Sequence, residues 1–326
     1  MKRLVILAPN WLGDAVMALP AIADVRRGAK DAVIAVAARA PVAPIFRLVP
    51  EVDEVLTTER RSWFELGTAD LRGGAFDTAL LLPNSLHSAL MVVRAGIRDR
   101  WGYRTDCRGR LLTRAVQPPS GLHQAEYYQQ LVHALGFPNG PLEPRLPVSK
   151  TARKAASKLL SSGGWDPRTP LVALAPGAAF GGAKRWPPGR FAALASGLAA
   201  DGVRAAMVGS GGDRQTADEV KVREPRVIDL VGQTDLLQLA GVLALARALV
   251  TNDSGAMHLA AAIGTPVTAV FGPTDERATR PLGDGHTVVT ASVWCRPCML
   301  RECPLDHRCM EGIETARVIA ATRGVL

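Results

Sequence analysis

Runs of apolar residues alternate along most of the chain with stretches whose apolar positions recur at helical spacing. In the first half the apolar runs cover residues 4–8, 32–37 and 78–82. In the second half they cover residues 171–175, 204–208, 227–230, 248–251 and 267–271. Runs that are apolar throughout and separated by helices are typical of parallel strands covered on both faces. The pattern predicts an α/β protein built from doubly wound parallel sheets.

The stretches between these runs predict helices at residues 15–27, 123–135, 150–160, 189–200, 213–221, 236–247 and 255–263. Pro20 lies inside the first stretch and should kink or restart the helix, because proline cannot donate a helical hydrogen bond. The connection between the two halves is stiffened by four prolines, Pro138, Pro141, Pro144 and Pro147. We therefore predict two domains, residues 1–144 and 145–326.

Composition agrees with two domains and narrows the class of protein. The chain has 326 residues, of which 48% are hydrophobic, and single cores stop growing at about 250–300 residues. The formal charge of +9 would suit an acidic partner, but with three tyrosines and no aromatic residues interleaved with basic ones we expect no nucleic acid partner. The start lacks the apolar core of a signal peptide and no stretch reaches about 20 apolar residues, which predicts a cytosolic protein.

Positive charge is concentrated between residues 94 and 114. Seven arginines lie there, namely Arg94, Arg98, Arg100, Arg104, Arg108, Arg110 and Arg114, offset only by Asp99 and Asp106. One interpretation is a solvated face or loop. The other is an anion-binding surface for a phosphorylated or carboxylated acceptor, and the use of arginine in place of lysine mildly favours it.

Polar loops follow two of the predicted strands in the first half. Asp14 lies in the Asn10-Trp11-Leu12-Gly13-Asp14 stretch after the first strand, where it could be an active-site base or a helix N-cap. The third apolar run ends in Pro83-Asn84-Ser85. Because parallel sheets bind ligands at the carboxyl ends of their strands, both loops are candidate binding sites.

The second half begins its sheet with a glycine-rich loop, PGAAFGGAKRWP at residues 176–187. Its backbone N–H groups and Lys184 could hold a diphosphate; the alternative is a flexible loop with a solvated lysine. The loop lacks the Walker spacing, and the first strand of the chain lacks the G-x-G-x-x-G of many dinucleotide-binding oxidoreductases.

Two more strands of the second half end in polar loops. Gly209 opens the stretch GSGGD, in which Asp213 should cap a helix. The stretch TNDSGAMH contains Asp253 and Ser254, either of which could cap the helix that begins near Gly255, with His258 about one turn further on. The alternative role of these residues is to bind sugar hydroxyls and phosphate. Three such loops on one sheet favour a nucleotide site.

Four cysteines, Cys295, Cys298, Cys303 and Cys309, follow the pattern C-x2-C-x4-C-x5-C, and Cys107 stands apart. They could form a tetrahedral zinc site, although the second pair lacks the usual C-x2-C spacing. The alternatives are unbonded thiols in a compact loop and disulfides, which a reducing cytosol disfavours.

Four strings in this order, NWLGDAVMALPAI, LLPNS, PGAAFGGAKRWP and TNDSGAMHLAAAIGTPVTAVFGPT, closely resemble the ADP-heptose:lipopolysaccharide heptosyltransferases, above all the heptosyltransferase II branch. The resemblance covers nearly the whole chain. It implies a GT-B glycosyltransferase fold, with two Rossmann-like doubly wound domains facing across a cleft. The N-terminal domain would bind the lipopolysaccharide acceptor and the C-terminal domain ADP-heptose. The implied reaction transfers L-glycero-D-manno-heptose with inversion and needs no cofactor.

The resemblance also assigns roles to residues. Asp14 would be the general base, Lys184 would neutralise the departing ADP, and Asp253 would hold hydroxyls of the donor heptose. The predicted donor-binding residues are Gly177, Lys184, Gly209, Asp253, Ser254, Gly255 and His258. The predicted acceptor-binding residues are Asn10, Asn84, Ser85, Arg104 and Arg108. We place a possible structural zinc on Cys295, Cys298, Cys303 and Cys309.

The resemblance implies that the acceptor substrate consists of lipid A, Kdo and heptose. The protein would reach it through peripheral contact with the cytoplasmic face of the inner membrane. Two alternatives stay open. One is a heptosyltransferase of type I or III with another acceptor, and the other is a noncatalytic GT-B protein that binds a nucleotide sugar.

Overall fold

A computed structural model describes residues 1–58 and 68–326. The chain divides into two compact units, Met1–Pro144 and Arg145–Leu326. Each unit contains a sheet of six parallel strands with helices packed around it.

The strands of the first unit are β1 (Arg3–Leu7), β2 (Val33–Arg39), β3 (Glu54–Thr58), β4 (Thr78–Leu81), β5 (Asp99–Tyr103) and β6 (Arg114–Val116). Its helices are α1 (Leu12–Met17), α2 (Leu19–Gly28), α3 (Ala43–Phe46), α4 (Thr68–Gly73), α5 (Leu86–Arg94) and α6 (Gln124–Ala134). The predicted helix at residues 15–27 is two helices, and Pro20 lies in the first turn of the second. The predicted restart at Pro20 is therefore confirmed.

The strands of the second unit are β7 (Leu171–Ala175), β8 (Arg204–Met207), β9 (Ile228–Asp229), β10 (Ala248–Asn252), β11 (Val267–Phe271) and β12 (His286–Thr290). Its helices are α7 (Lys150–Ser162), α8 (Pro188–Ala200), α9 (Arg214–Arg223), α10 (Leu236–Leu245), α11 (Gly255–Ile263), α12 (Glu276–Thr279), α13 (Arg308–Glu311) and α14 (Thr315–Arg323). Ser149 caps α7, since its side chain accepts a hydrogen bond from Ala152 N at 3.1 Å.

Both sheets have the same strand order. The first runs β3-β2-β1-β4-β5-β6, and the second, read from its other edge, runs β9-β8-β7-β10-β11-β12. This order reverses direction between β1 and β4 in the first unit and between β7 and β10 in the second. The crevice at the carboxyl ends of such a strand pair is where doubly wound sheets bind ligands.

Every predicted strand is present, and the pattern missed four others: β3, β5, β6 and β12. Three of these are edge strands in which all residues except Val289 are partly buried or exposed, so they lack a continuous apolar run. β5 begins with Asp99 and Arg100, which concealed it within the arginine-rich segment. The interpretation of residues 94–114 as a loop is wrong in part, since the segment contains β5 and the first residue of β6; the alternative of a solvated face is not contradicted.

The strands next to the switch points form the centres of the two cores. All five residues of β7 and of β10 are buried. Trp186 and Phe191 are fully buried beside them, with ring centroids 5.0 Å apart at an interplanar angle of 76°. Full burial of such a side chain contributes about 1.5–3 kcal/mol. Within the part of the chain that is described, no helix combines the length and apolar character needed to cross a bilayer.

Candidate functional site

Many of the predicted site residues lie on the loops that follow the switch-point strands or in the first turns of the helices after those loops. In the first unit these are Asn10 and Asp14 after β1, and Asn84 and Ser85 after β4. In the second unit they are Gly177 and Lys184 after β7, and Asp253, Ser254, Gly255 and His258 after β10. Gly209 follows β8, the neighbour of β7. The predicted positions therefore coincide with the ligand-binding edge of each sheet.

Lys184 and Asp253 form an ion pair at the switch point of the second sheet. Lys184 Nζ lies 2.5 Å from Asp253 Oδ2, and the two side chains are 12% and 6% exposed. Thr274, in the loop after β11, donates its hydroxyl to the same carboxylate oxygen at 2.7 Å. Two donors on one oxygen fix the orientation of the carboxylate. The sequence analysis missed Thr274, although it too follows the carboxyl end of a strand.

Phe180 lies between two cations of this region. The ring centroid is 4.5 Å from Lys184 Nζ and 5.3 Å from Arg301 Cζ, both within the range of a cation–π interaction. Arg301 belongs to the cysteine-rich segment, residues 295–309. Phe180 therefore restricts where the Lys184 ammonium can lie.

Asn252 joins the two ends of the glycine-rich loop. Its side chain is fully buried, and its Oδ1 accepts a hydrogen bond from Trp186 N at 3.1 Å. Its Nδ2 donates to Pro176 O at 2.8 Å and to Gly177 O at 3.2 Å. All the functional atoms of this amide hold the base of the loop. The sequence analysis did not single out Asn252, and its position one residue before Asp253 was the available signal.

The backbone N–H groups of the glycine-rich loop differ from the prediction. Gly182 N donates to Glu302 Oε1 at 3.0 Å, and Ala183 N donates to Arg301 O at 2.9 Å. The prediction that these groups are open to a diphosphate is wrong for these two residues, because the cysteine-rich segment already satisfies them. In place of these two N–H groups, the Lys184 ammonium is the group of this loop that we expect to interact with a diphosphate.

Asp213 forms hydrogen bonds within the loop after β8, and its carboxylate lies close to Gly177 in the loop after β7. Its Oδ2 accepts hydrogen bonds from Ser210 N at 2.9 Å and Ser210 Oγ at 2.8 Å, which caps the short 3₁₀ turn at Gly211–Asp213. It stands at the N-cap position of α9, but its side chain does not cap that helix. A Cβ atom on Gly177 would lie 2.1 Å from Asp213 Oδ1. Only glycine fits at this position.

The start of α11 leaves Asp253 and Ser254 available for other roles. The helix begins at Gly255 as predicted, and Ser254 is its N-cap residue but makes no side-chain capping hydrogen bond. Ser254 Oγ lies 3.0 Å from Thr251 Oγ1 instead. His258 is buried, one turn into the helix. The interpretation of Asp253 or Ser254 as a capping side chain is therefore wrong.

Asp14 is the third residue of α1, and the N-cap of that helix is Trp11. The interpretation of Asp14 as an N-cap is therefore wrong, because the helix begins two residues before it. Burial raises the pKa of the Tyr128 phenol well above its usual range, and the nearby charge of Asp14 raises it further. Tyr128 on α6 thus stays protonated beside the carboxylate. The sequence analysis missed Tyr128, since a tyrosine on a helix face carries no motif.

The loop after β4 is anchored on both sides. Ser85 caps α5 by accepting a hydrogen bond from Ser88 N at 3.3 Å. Asn84 Nδ2 donates to the Tyr127 hydroxyl at 2.9 Å, and the ring of Tyr127 packs against that of Tyr103 with centroids 4.4 Å apart.

Arg108 differs most from its predicted place on an anion-binding surface. It is fully buried, and its guanidinium donates to Tyr103 O at 3.0 Å, Ser88 Oγ at 2.9 Å, Ser85 O at 3.3 Å and Pro83 O. Burial lowers the pKa of Arg108 to about 10, so it remains charged at neutral pH. Its charge supports the loop after β4 and is not available on the surface.

Two further arginines of the segment also have structural roles. Arg100 donates to Leu111 O at 2.6 Å and Ile97 O at 2.7 Å. The guanidinium of Arg114 lies 5.1 Å from the centroid of the Trp101 ring. The arginines of the segment that are exposed are Arg94, Arg98, Arg104, Arg110 and Arg114.

All five cysteines are free thiols in this structure, so the disulfide alternative is not observed. Burial raises the pKa of Cys309, and the charges of Cys295, Cys303 and Cys298 raise it further. Residues 1–58 and 68–326 nevertheless contain no group of three or more His, Cys, Asp or Glu side chains positioned to hold a metal ion.

Two Rossmann-like parallel sheets with polar loops at their switch points are the architecture of the GT-B glycosyltransferases. The chain superposes on the structure of E. coli ADP-heptose lipopolysaccharide heptosyltransferase II with a TM-score of 0.86 and 30% identity, covering 100% of this chain and 98% of that one. The family model described as glycosyltransferase family 9 (heptosyltransferase) matches residues 65–308. The chain belongs to glycosyltransferase family 9, the heptosyltransferases.

Relatives with assigned names agree with the family. Lipopolysaccharide heptosyltransferase 2 of Escherichia coli (strain K12) is 32% identical over 311 residues, which cover 88% of this chain and 87% of the relative. Lipooligosaccharide heptosyltransferase 2 of Haemophilus influenzae is 31% identical over 308 residues, which cover 88% of each chain.

Proposed function

We propose that this protein transfers L-glycero-D-manno-heptose from ADP-heptose to a heptose of the lipopolysaccharide inner core, with inversion and without a catalytic cofactor. The observation that carries the proposal is the ion pair of Lys184 and Asp253 at the switch point of the second sheet. The named relatives supply the substrate class, because the similar E. coli and H. influenzae proteins are type 2 heptosyltransferases.

On the donor side, the second unit would hold ADP-heptose through the loops after β7, β8 and β10. Gly177, Gly209 and Gly255 would allow the nucleotide to approach the backbone, and Ser254 and His258 would contact the diphosphate or sugar. Asp253 would accept hydrogen bonds from hydroxyls of the heptose. Lys184 would neutralise the charge that develops on ADP as the glycosidic bond breaks, which is the step where electrostatic stabilisation is worth most.

On the acceptor side, Asp14 would remove the proton from the attacking heptose hydroxyl while the new bond forms at the anomeric carbon. Inversion requires this base on the face opposite the leaving group. Asn10, Asn84 and Ser85 would bind acceptor hydroxyls at the same edge of the first sheet. Arg108 would act indirectly, by holding the loop that carries Asn84 and Ser85.

The direct test is incubation of the protein with ADP-heptose and an acceptor substrate that consists of lipid A, Kdo and one heptose. ADP release and the mass of the acceptor are the readouts. We expect ADP release together with the addition of one heptose. Transfer only to the heptose-free acceptor, or only to an acceptor that already carries two heptoses, would assign another type of the family. Nucleotide binding without turnover on all three acceptors would indicate the noncatalytic alternative.

The exposed arginine Arg104 and the buried arginine Arg108 should respond differently to substitution. Arg108→Met leaves several buried carbonyl groups without a donor, and we expect it to lower the free energy of unfolding by about 3 kcal/mol. Arg104→Glu should leave unfolding unchanged and weaken acceptor binding in anionic vesicles, with a smaller effect at high salt.

Denaturant unfolding and acceptor titration at two salt concentrations measure the two effects. Arg153→Glu, an exposed arginine on α7, is the control for charge reversal. Acceptor binding by Arg104→Glu that equals the control at both salt concentrations would remove Arg104 from the acceptor site.

A structural zinc on Cys295, Cys298, Cys303 and Cys309 is the remaining part of the proposal. The presence of four cysteines within residues 295–309 supports it, while their present arrangement forms no metal-binding group. Elemental analysis of protein purified without chelator should find one zinc or iron per chain, and Cys303→Ser should lose it while Cys107→Ser keeps it. Less than one metal per chain in the unmodified protein would leave four free thiols.

A further inference from the structure

The cysteine-rich segment and the glycine-rich loop make a set of contacts that the proposed reaction does not by itself require. Residues 301 and 302 lie along residues 181–183, and both backbone and side-chain atoms take part. The contacts lie immediately before Lys184 in the chain.

Two hydrogen bonds fix the backbone at this point. The Glu302 carboxylate accepts from Gly182 N at 3.0 Å, and the Arg301 carbonyl accepts from Ala183 N at 2.9 Å. The turn that follows is closed by Arg185 N donating to Gly182 O at 3.0 Å. The two consecutive N–H groups before Lys184 are thus both held from outside the loop.

The approach is close enough to require glycine. A Cβ atom on Gly181 would lie 2.3 Å from Arg301 O, and the φ angle of Gly181 is +157°. A Cβ atom on Gly182 would lie 2.7 Å from Glu302 Oε2. Gly181 and Gly182 therefore allow the cysteine-rich segment to pack closely on the loop, where the N–H groups of Gly182 and Ala183 are already bonded.

The side chains of the two segments also meet. Phe180 has the Lys184 ammonium at 4.5 Å and the Arg301 guanidinium at 5.3 Å from its ring centroid. Arg301 and Lys184 thus share one aromatic ring without forming a bond to each other. The position of Lys184 depends on its own backbone, on Phe180 and on Asp253.

We propose that Glu302 is a positioning residue for Lys184: through Gly182 it sets the backbone that aims the ammonium at the departing diphosphate. This inference rests on the proposed role of Lys184 in leaving-group stabilisation. It gives the cysteine-rich segment a function in catalysis that does not depend on metal binding.

Glu302→Ala removes the acceptor for Gly182 N, and we expect kcat to fall about 10- to 100-fold, because small displacements of a charged group at the reaction centre are costly. The KM for the acceptor should not change. Glu302→Gln keeps an oxygen in the same place and should retain most of the activity. Asp306→Ala is the matched control, since Asp306 is an exposed acid of the same segment that pairs with Arg308.

A double-mutant cycle separates positioning from a general structural effect. In a Lys184→Met background, Glu302→Ala should reduce kcat by less than about twofold, because the group that it positions is already absent. Equal melting temperatures of Glu302→Ala and Asp306→Ala would support the same conclusion. Losses that multiply in the double variant would overturn the inference, as would full activity of Glu302→Ala.

The proposed function can fail separately. If Lys184→Met keeps normal turnover, the role of Lys184 is wrong and the positioning role falls with it. If Lys184→Met is inactive while Glu302→Ala behaves like Asp306→Ala, only the positioning role is wrong.

Discussion

Asp14→Asn should lower kcat by about 100- to 10,000-fold, the usual contribution of a general base. The substitution keeps the size of the side chain and removes its ability to take a proton. Because Asp14 lies in the first turn of α1 and is not its N-cap, the helix should form normally. Binding of ADP-heptose should be unchanged, since the proposed donor site belongs to the other unit. Steady-state kinetics and donor titration measure both.

Asp70→Asn is a closely matched control for this variant. Asp70 is also the third residue of a helix, α4, and is acidic in its first turn. Both substitutions remove one negative charge near a helix N-terminus, where such a charge is worth about 0.3–1 kcal/mol. Asp70→Asn should retain full turnover. If Asp14→Asn is as active as Asp70→Asn, another group must be the base.

Lys184→Met should lower kcat about 100- to 1,000-fold, because it removes a preorganised cation from the leaving group. The substitution also leaves the Asp253 carboxylate, 6% exposed, without its charged partner. Loss of one partner of a buried ion pair costs about 3–5 kcal/mol. Activity and stability must therefore be measured together, by ADP release and by denaturant unfolding.

A second variant separates the two effects. Lys184→Met combined with Asp253→Asn removes both charges, and Thr274 can still donate to the amide oxygen. We expect this pair of substitutions to recover most of the lost stability but no turnover, since Asp253→Asn also removes an acceptor for the donor's hydroxyls; Asp253→Asn alone gives the size of that second loss. Lys154→Met, on an exposed face of α7, is the control for loss of a lysine. Recovery of turnover together with stability would mean that Lys184 has only a structural role.

Much of the fold could be predicted from the sequence because its central strands are buried on both faces. Most residues of these strands are apolar, and glycine, proline or polar residues follow them; β7, which is apolar throughout, is an example. β3, β5, β6 and β12 could not be predicted in the same way. β3 is partly buried along its whole length, and β5 begins with charged residues that resemble a surface loop.

Some features of the candidate site could likewise be predicted from the sequence, and others could not. Lys184 and Asp253 could be predicted because each follows a switch-point strand, and strand order brings such loops together. The hydrogen bonds from residues 301 and 302 to the loop could not be predicted, since they join segments about 120 residues apart. The same is true of Arg108: its sequence context is strongly basic, but only its tertiary environment determines that it is buried.

Asn252 has a consequence for the motion of the donor loop. Its buried side-chain amide forms hydrogen bonds to Pro176, Gly177 and Trp186. These bonds hold the two ends of residues 176–186 next to each other. The conformational entropy of the loop is thereby limited to the residues near its tip. Lys184 can then adjust to a changing charge over a short path, while the strands below keep their register. Most of the conformational entropy of the loop is therefore lost when the protein folds, and less remains to be lost when the donor binds.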